Sequence, residues 1–126
     1  MGVRGIAPTK EAAFAQAALA LTAVITEPEK VKPVETIVLT AEAPDDELLL
    51  ADFLNALIYE MATRHMLFSR FHVTIDGARL VAEASGEKID TARHAPAVEV
   101  KGATYTELRV HQTDAGEWRA QCVVDV

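Results

Sequence analysis

The hydrophobic repeat of this chain changes period part way along, and that change restricts the fold more than any other feature. In two long segments before Met61 the apolar residues recur every three or four positions. From Phe71 onward they recur every second position, as in half-buried strands. A chain that is helical early and hairpin-like late points to an α+β architecture rather than a bundle or a doubly wound sheet.

The first part contains two helices with a strand between them. Thr9 can cap a helix with Glu11 in its first turn, where a negative charge is favourable. Phe14, Ala17, Ala18, Leu21 and Ile25 then form one apolar stripe, and Pro28 ends it. Ile37, Leu39 and Ala41 alternate with Val38, Thr40 and Glu42, which reads as a strand. Pro44-Asp45-Asp46-Glu47 opens a second helix whose stripe is Leu50, Phe53, Leu54, Leu57, Ile58 and Met61.

In the second part, Phe71, Val73 and Ile75 alternate, Asp76-Gly77 turns, and Leu80, Ala82 and Ala84 return. An irregular polar connection spans Gly86 to Pro96. A last hairpin pairs Thr104–Gln112 with Glu117–Val126 around Asp114-Ala115-Gly116. On the final strand Trp118, Ala120, Cys122, Val124 and Val126 share one face, and Arg119, Gln121, Val123 and Asp125 the other. Met1–Ile6 reads as the second half of a further strand. The expected fold is a two-layer α+β sandwich, two helices on a mainly antiparallel sheet of about five strands, in one domain over residues 1–126.

Charge narrows the function. The formal net charge is −7, and the twelve basic residues are scattered without a basic run. That argues against direct nucleic-acid binding and suits a cation or a basic protein partner. The single cysteine, Cys122, has no internal disulfide partner and reads as a small buried hydrophobe. With neither a signal peptide nor an apolar stretch of spanning length in view, a cytoplasmic protein without a membrane role is expected.

No nucleophile elbow, phosphate loop or metal-ligand spacing is present. His65, His72, His94 and His111 read as surface or helix-end residues, Asp45, Asp46 and Glu47 as helix-start charges, and Asp76 and Asp90 as turn formers. What remains is a C-terminal corner, in which the Asp125 carboxylate adjoins the α-carboxylate of Val126. Lys101, just before Gly102, belongs elsewhere in the sheet on this reading. Such oxygens suit a hard cation or a charged partner.

Taken in order, several blocks resemble the archease family across essentially the whole chain. Glu11–Phe14 with Ala17–Ala20 resembles its first helix, and Leu49–Tyr59 its second, with Phe53 where a tryptophan is usual. Leu67-Phe68-Ser69-Arg70-Phe71 matches a Leu-Phe-Ser-x-Phe element. Gly86-Glu87, Asp90 and Arg93-His94 match the long connection, Glu99–Tyr105 the strongest block, and Trp118–Ala120 leading to Asp125-Val126 the last strand. Gly102 for alanine and Thr106 for histidine are departures.

The resemblance implies an accessory protein without catalysis of its own. Archeases promote the RtcB-type GTP-dependent RNA ligase of tRNA splicing and RNA repair, aiding its guanylylation and multiple turnover. It further implies an activating role for Lys101 and a Ca²⁺ site that includes Asp125 and Val126. The family's first calcium ligand, in a His-Thr-Ala-Asp motif, aligns just before Met1, so the chain is expected to lack the first residues of the family's N-terminal strand. The alternative function is a general chaperone or binding module that shields apolar surfaces.

Overall fold

The computed structural model describes residues 1–126. Strand β1 (Gly2–Ala7) leads into helix α1 (Lys10–Ile25), capped by Thr9, whose side chain accepts from the Ala12 N–H at 3.1 Å. A 3₁₀ turn at Pro28–Lys30 precedes β2 (Glu35–Glu42). Helix α2 (Asp46–Arg64) follows, then β3 (Met66–Asp76), β4 (Arg79–Lys88) and a single helical turn, α3 (Thr91–His94). The chain ends in β5 (Gly102–Ala103), β6 (Arg109–Gln112) and β7 (Trp118–Asp125). No helix is long and apolar enough to cross a membrane.

The α+β class is as expected, and every strand pairing is antiparallel. The strands form two sheets rather than one. In the first, β7 is central, with β1 along one side and β5 and β6 along the other. In the second, the order is β2-β4-β3. Helix α1 lies against β1 and β7 of the first sheet and β3 of the second, so the helix layer clasps both.

Three segments differ from the sequence expectation. Strand β3 begins at Met66, five residues before alternation becomes readable, because Met66, Leu67 and Phe68 are all buried. A bulge at Ser69 then restores the two-sided pattern. The connection expected from Gly86 to Pro96 is partly regular, since β4 runs to Lys88 and Asp90 caps α3 through the N–H groups of Ala92 and Arg93. The expected strand Thr104–Gln112 is broken between β5 and β6, where Glu107 takes a left-handed φ of 52°.

Core packing explains the small-residue stripe of α1. Ala13, Phe14, Ala17, Ala18 and Leu21 are all fully buried, and Phe14 stacks on Phe53 of α2 with ring centroids 6.2 Å apart. Burying each such large side chain contributes about 1.5–3 kcal/mol. Helix and strand approach so closely that a Cβ on Gly5 would lie 2.0 Å from the Ala13 carbonyl oxygen. Small residues on both elements permit that contact.

Candidate functional site

Antiparallel pairing of the first and last strands determines the site. Gly2 lies opposite Val123 and Ala7 opposite Trp118. Beyond that ladder, Met1 is hydrogen-bonded to Val124 in both directions, its carbonyl accepting from Val124 N–H at 2.7 Å and its amino group donating to Val124 O at 3.3 Å. On the opposite side of β7, the Lys101 N–H donates to the Asp125 carbonyl at 2.8 Å.

Lys101 is therefore not elsewhere in the sheet. It is the backbone partner of Asp125, and Met1 approaches the same strand end from the other side. Along β7, Ala120, Cys122 and Val124 are buried while Asp125 is exposed, which directs Asp125 to the outer face with Gln121. Lys101, Asp125 and Val126 are all exposed, and neither Lys101 nor Asp125 takes part in an ion pair. A cation and two carboxylates thus stand in solvent with their charges uncommitted.

Helix α2 holds this edge in place. Asn55 Oδ1 accepts from the Ala103 N–H at 2.9 Å, and Glu47 Oε2 accepts from the Val110 N–H at 2.9 Å. Glu47 is more than a helix-start charge, because it satisfies an edge-strand donor. Asp45 does cap the helix, accepting from Leu48 N–H at 2.8 Å, and Asp46 pairs with Lys10 at 3.1 Å.

The segment leading to Lys101 is fastened at its start by a polar cluster that sequence reasoning missed. His94 is only 1% exposed, so it sits at a helix end as expected but not at the surface. Its Nδ1 accepts from the Asp90 N–H at 2.9 Å, which leaves the proton on Nε2 to donate to Glu87 Oε2 at 3.0 Å. Arg93 reaches Glu87 Oε1 at 2.7 Å, and the Lys32 N–H donates to Glu87 Oε2 at 2.7 Å. The Arg93 guanidinium foremost, with the Lys32 N–H and His94 assisting, holds the Glu87 carboxyl down at about 2. The same contact raises the Arg93 pKa. Nothing in the residue types distinguishes a buried His94 from the exposed His65 and His72 or the half-buried His111; the four-residue spacing to Asp90 was its only trace.

Next to this segment Ile58, Met61, Ile89, Pro96 and Val98 line an apolar groove of about 300 Å³. Cys122 is buried, and burial pushes its thiol up to about 11, a poor setting for a nucleophile.

Calcium takes about six to eight oxygens. The corner supplies the Asp125 carboxylate and the α-carboxylate of Val126, and no group of three or more His, Cys, Asp or Glu side chains gathers in the chain. The backbone of Lys101, which carries a cation, joins the same strand end. The residues present do not fit a tightly held Ca²⁺.

Two antiparallel sheets clasped by helices, with the first and last strands paired and an exposed lysine–carboxylate corner at their end, define the class of protein. The Archease protein family (MTH1598/TM1083) model matches residues 1–126. A protein archease of Thermococcus gammatolerans is 38% identical over 130 residues, covering 100% of this chain and 92% of that relative. One of Pyrococcus abyssi is 36% identical with the same coverage, 100% and 92%. The solution structure of Methanobacterium thermoautotrophicum protein 1598 is similar with a TM-score of 0.86 at 30% identity, covering 99% of this chain and 91% of that one. The crystal structure of a Thermotoga maritima archease, described as a possible chaperone, shares the fold with a TM-score of 0.63 at 16% identity over 100% and 90% of the two chains. The chain belongs to the archease family.

Proposed function

We propose that this protein is a non-catalytic accessory factor of an RtcB-type, GTP-dependent RNA ligase, acting by protein–protein contact in the cytoplasm. The observation that carries the reading is the backbone hydrogen bond of 2.8 Å between Lys101 and Asp125, which assembles two exposed, unpaired charges of opposite sign at one strand end. An ammonium that is not neutralised within its own protein is free to meet phosphate oxygens elsewhere. The partner class is the one the archease resemblance implies, and membership of that family supports the reading.

In this reading Lys101 reaches the ligase's guanylylation site and orients the phosphates of GTP, stabilising charge as the ligase's histidine is charged with guanylate. Asp125 and the Val126 carboxylate meet cationic groups there, either a bound cation or the ligase's own metals. The rigid seat matters because positioning groups lose effect when displaced by about an ångström. Asn55, Glu47 and the Glu87–His94 cluster provide that seat.

The test is multiple-turnover ligation at limiting ligase, with and without this protein. Stimulation that disappears in Lys101→Ala supports the reading, and an absence of stimulation by the parent protein refutes it. A general chaperone is a different class of function, and the possible chaperone named for the Thermotoga relative corresponds to it. It calls for a broad apolar surface, whereas the most exposed large apolar residues are spread over three parts of the chain, Val34 and Val38 at β2, Tyr59 on α2 and Tyr105 after β5.

A further inference from the structure

The twelve basic residues look scattered along the chain, yet the strand order gathers three arginines on one surface. On the outer face of the first sheet, Arg4 of β1 and Arg109 of β6 both stand opposite Gln121 of β7. In the next outward row, Ile6 and His111 flank Arg119. Strand spacing puts the outer members of each row about 10 Å apart, within reach of one extended segment.

Glu107 lines a cavity beside Arg4 and Gln121, yet no ion pair forms on this face. None of Arg4, Arg109 and Arg119 is in an ion pair, although acids outnumber bases in the chain and the net charge is −7. Arg4 spends one N–H on Gln121 Oε1 at 3.2 Å. Arg119 Nε and His111 Nδ1 are buried and have no hydrogen-bond partner within the protein.

We propose that the outer face of β1, β7 and β6 docks an acidic segment of a protein partner, its carboxylates taken by Arg4, Arg109 and Arg119. The composition favours protein over nucleic acid. Arginine without lysine, interleaved with Ile6 at 43% exposure and half-buried Val123, is what protein interfaces enrich. The face has no Phe, Tyr or Trp on which a base could stack, and the overall negative charge repels a long polyanion. The face also runs along β7 into the corner, because Asp125 shares its outward side four residues beyond Gln121, or about 13 Å. Where the partner is the ligase, which rests on the function proposed above, the arginines hold the partner while Lys101 acts on it.

Two measurements test this. In the first, backbone and arginine side-chain NMR signals are followed while a short oligoglutamate peptide, or an RNA oligonucleotide of matched charge, is added at low and high salt. Shifts at Arg4, Arg109, Arg119 and Gln121 with the peptide, lost at high salt and in Arg4→Glu/Arg109→Glu, are expected. No shift on this face, or stronger binding by the RNA, overturns the proposal. In the second, ligase stimulation is titrated with the double variant, with Arg70→Glu/Arg79→Glu as a charge-matched control on the other sheet. The double variant is expected to need at least about tenfold more protein for half-maximal stimulation yet reach the parent plateau, as for a lost docking energy of about 1.4 kcal/mol. An unchanged titration overturns the docking role. If peptide binding is present and the parent protein never stimulates the ligase, the face stands and the ligase reading fails.

Discussion

Glu87 shows how one side chain fastens a functional segment. It receives hydrogen bonds from Arg93, the Lys32 N–H and His94, and its carboxyl is held at about 2 against an ordinary value of 4.5. A carboxyl depressed in the folded state stabilises above its unfolded pKa and loses that stabilisation as pH falls through its folded one. Stability should therefore decline as pH drops from 4.5 toward 2. Glu87→Gln should be less stable at neutral pH and show a shallower acid decline, measurable by thermal melts across pH. Parallel curves for the two proteins would refute the assignment. Cys122 behaves oppositely, since burial raises its thiol to about 11. Native protein should react slowly with a thiol reagent at neutral pH and rapidly once unfolded; fast native labelling would contradict the buried placement.

At the scale of elements, close approach and edge satisfaction dominate. Gly5→Ala would drive a methyl group into the Ala13 carbonyl, with backbone on both sides and little freedom to yield. A loss of about 3 kcal/mol is expected in chemical denaturation, and an unchanged midpoint would show that β1 and α1 can separate at little cost. Asn55→Ala would leave the Ala103 N–H without its acceptor. A decrease of about 1 kcal/mol and faster amide exchange at Ala103 are expected.

Helices α1 and α2 and the β3–β4 hairpin were legible in the sequence because each buries one face and leaves a periodic trace. The break between β5 and β6 was not, since a single residue with positive φ, Glu107, carries no compositional mark. The early start of β3 was hidden because Met66, Leu67 and Phe68 are all buried and show no alternation. The seat of Lys101 also escaped notice. Asn55 and Glu47 lie on α2, 48 and 63 residues before the strand donors they accept from, and local pattern cannot signal such pairs.

For the molecule as a whole, topology does what composition could not. Lys101, Asp125 and Val126 were each legible as candidates, but the sequence held Lys101 apart from the other two. Pairing β1 and β5 to opposite sides of β7 brings Met1 and Lys101 to one strand end. The same pairing turns dispersed arginines into a face. Because Lys101 and Asp125 are exposed and unpaired, replacing them should leave the fold intact, with changes in stability within about 0.5 kcal/mol. The most direct measurement is multiple-turnover RNA ligation by an RtcB-type ligase at limiting concentration, comparing the parent protein with Lys101→Ala and Asp125→Asn after equal melting curves are established. The account predicts that the parent stimulates turnover and that each variant loses at least about tenfold of that stimulation, the size of one charge-assisted contact. Folded variants that stimulate as well as the parent would contradict it and reduce the corner to a solvated chain end.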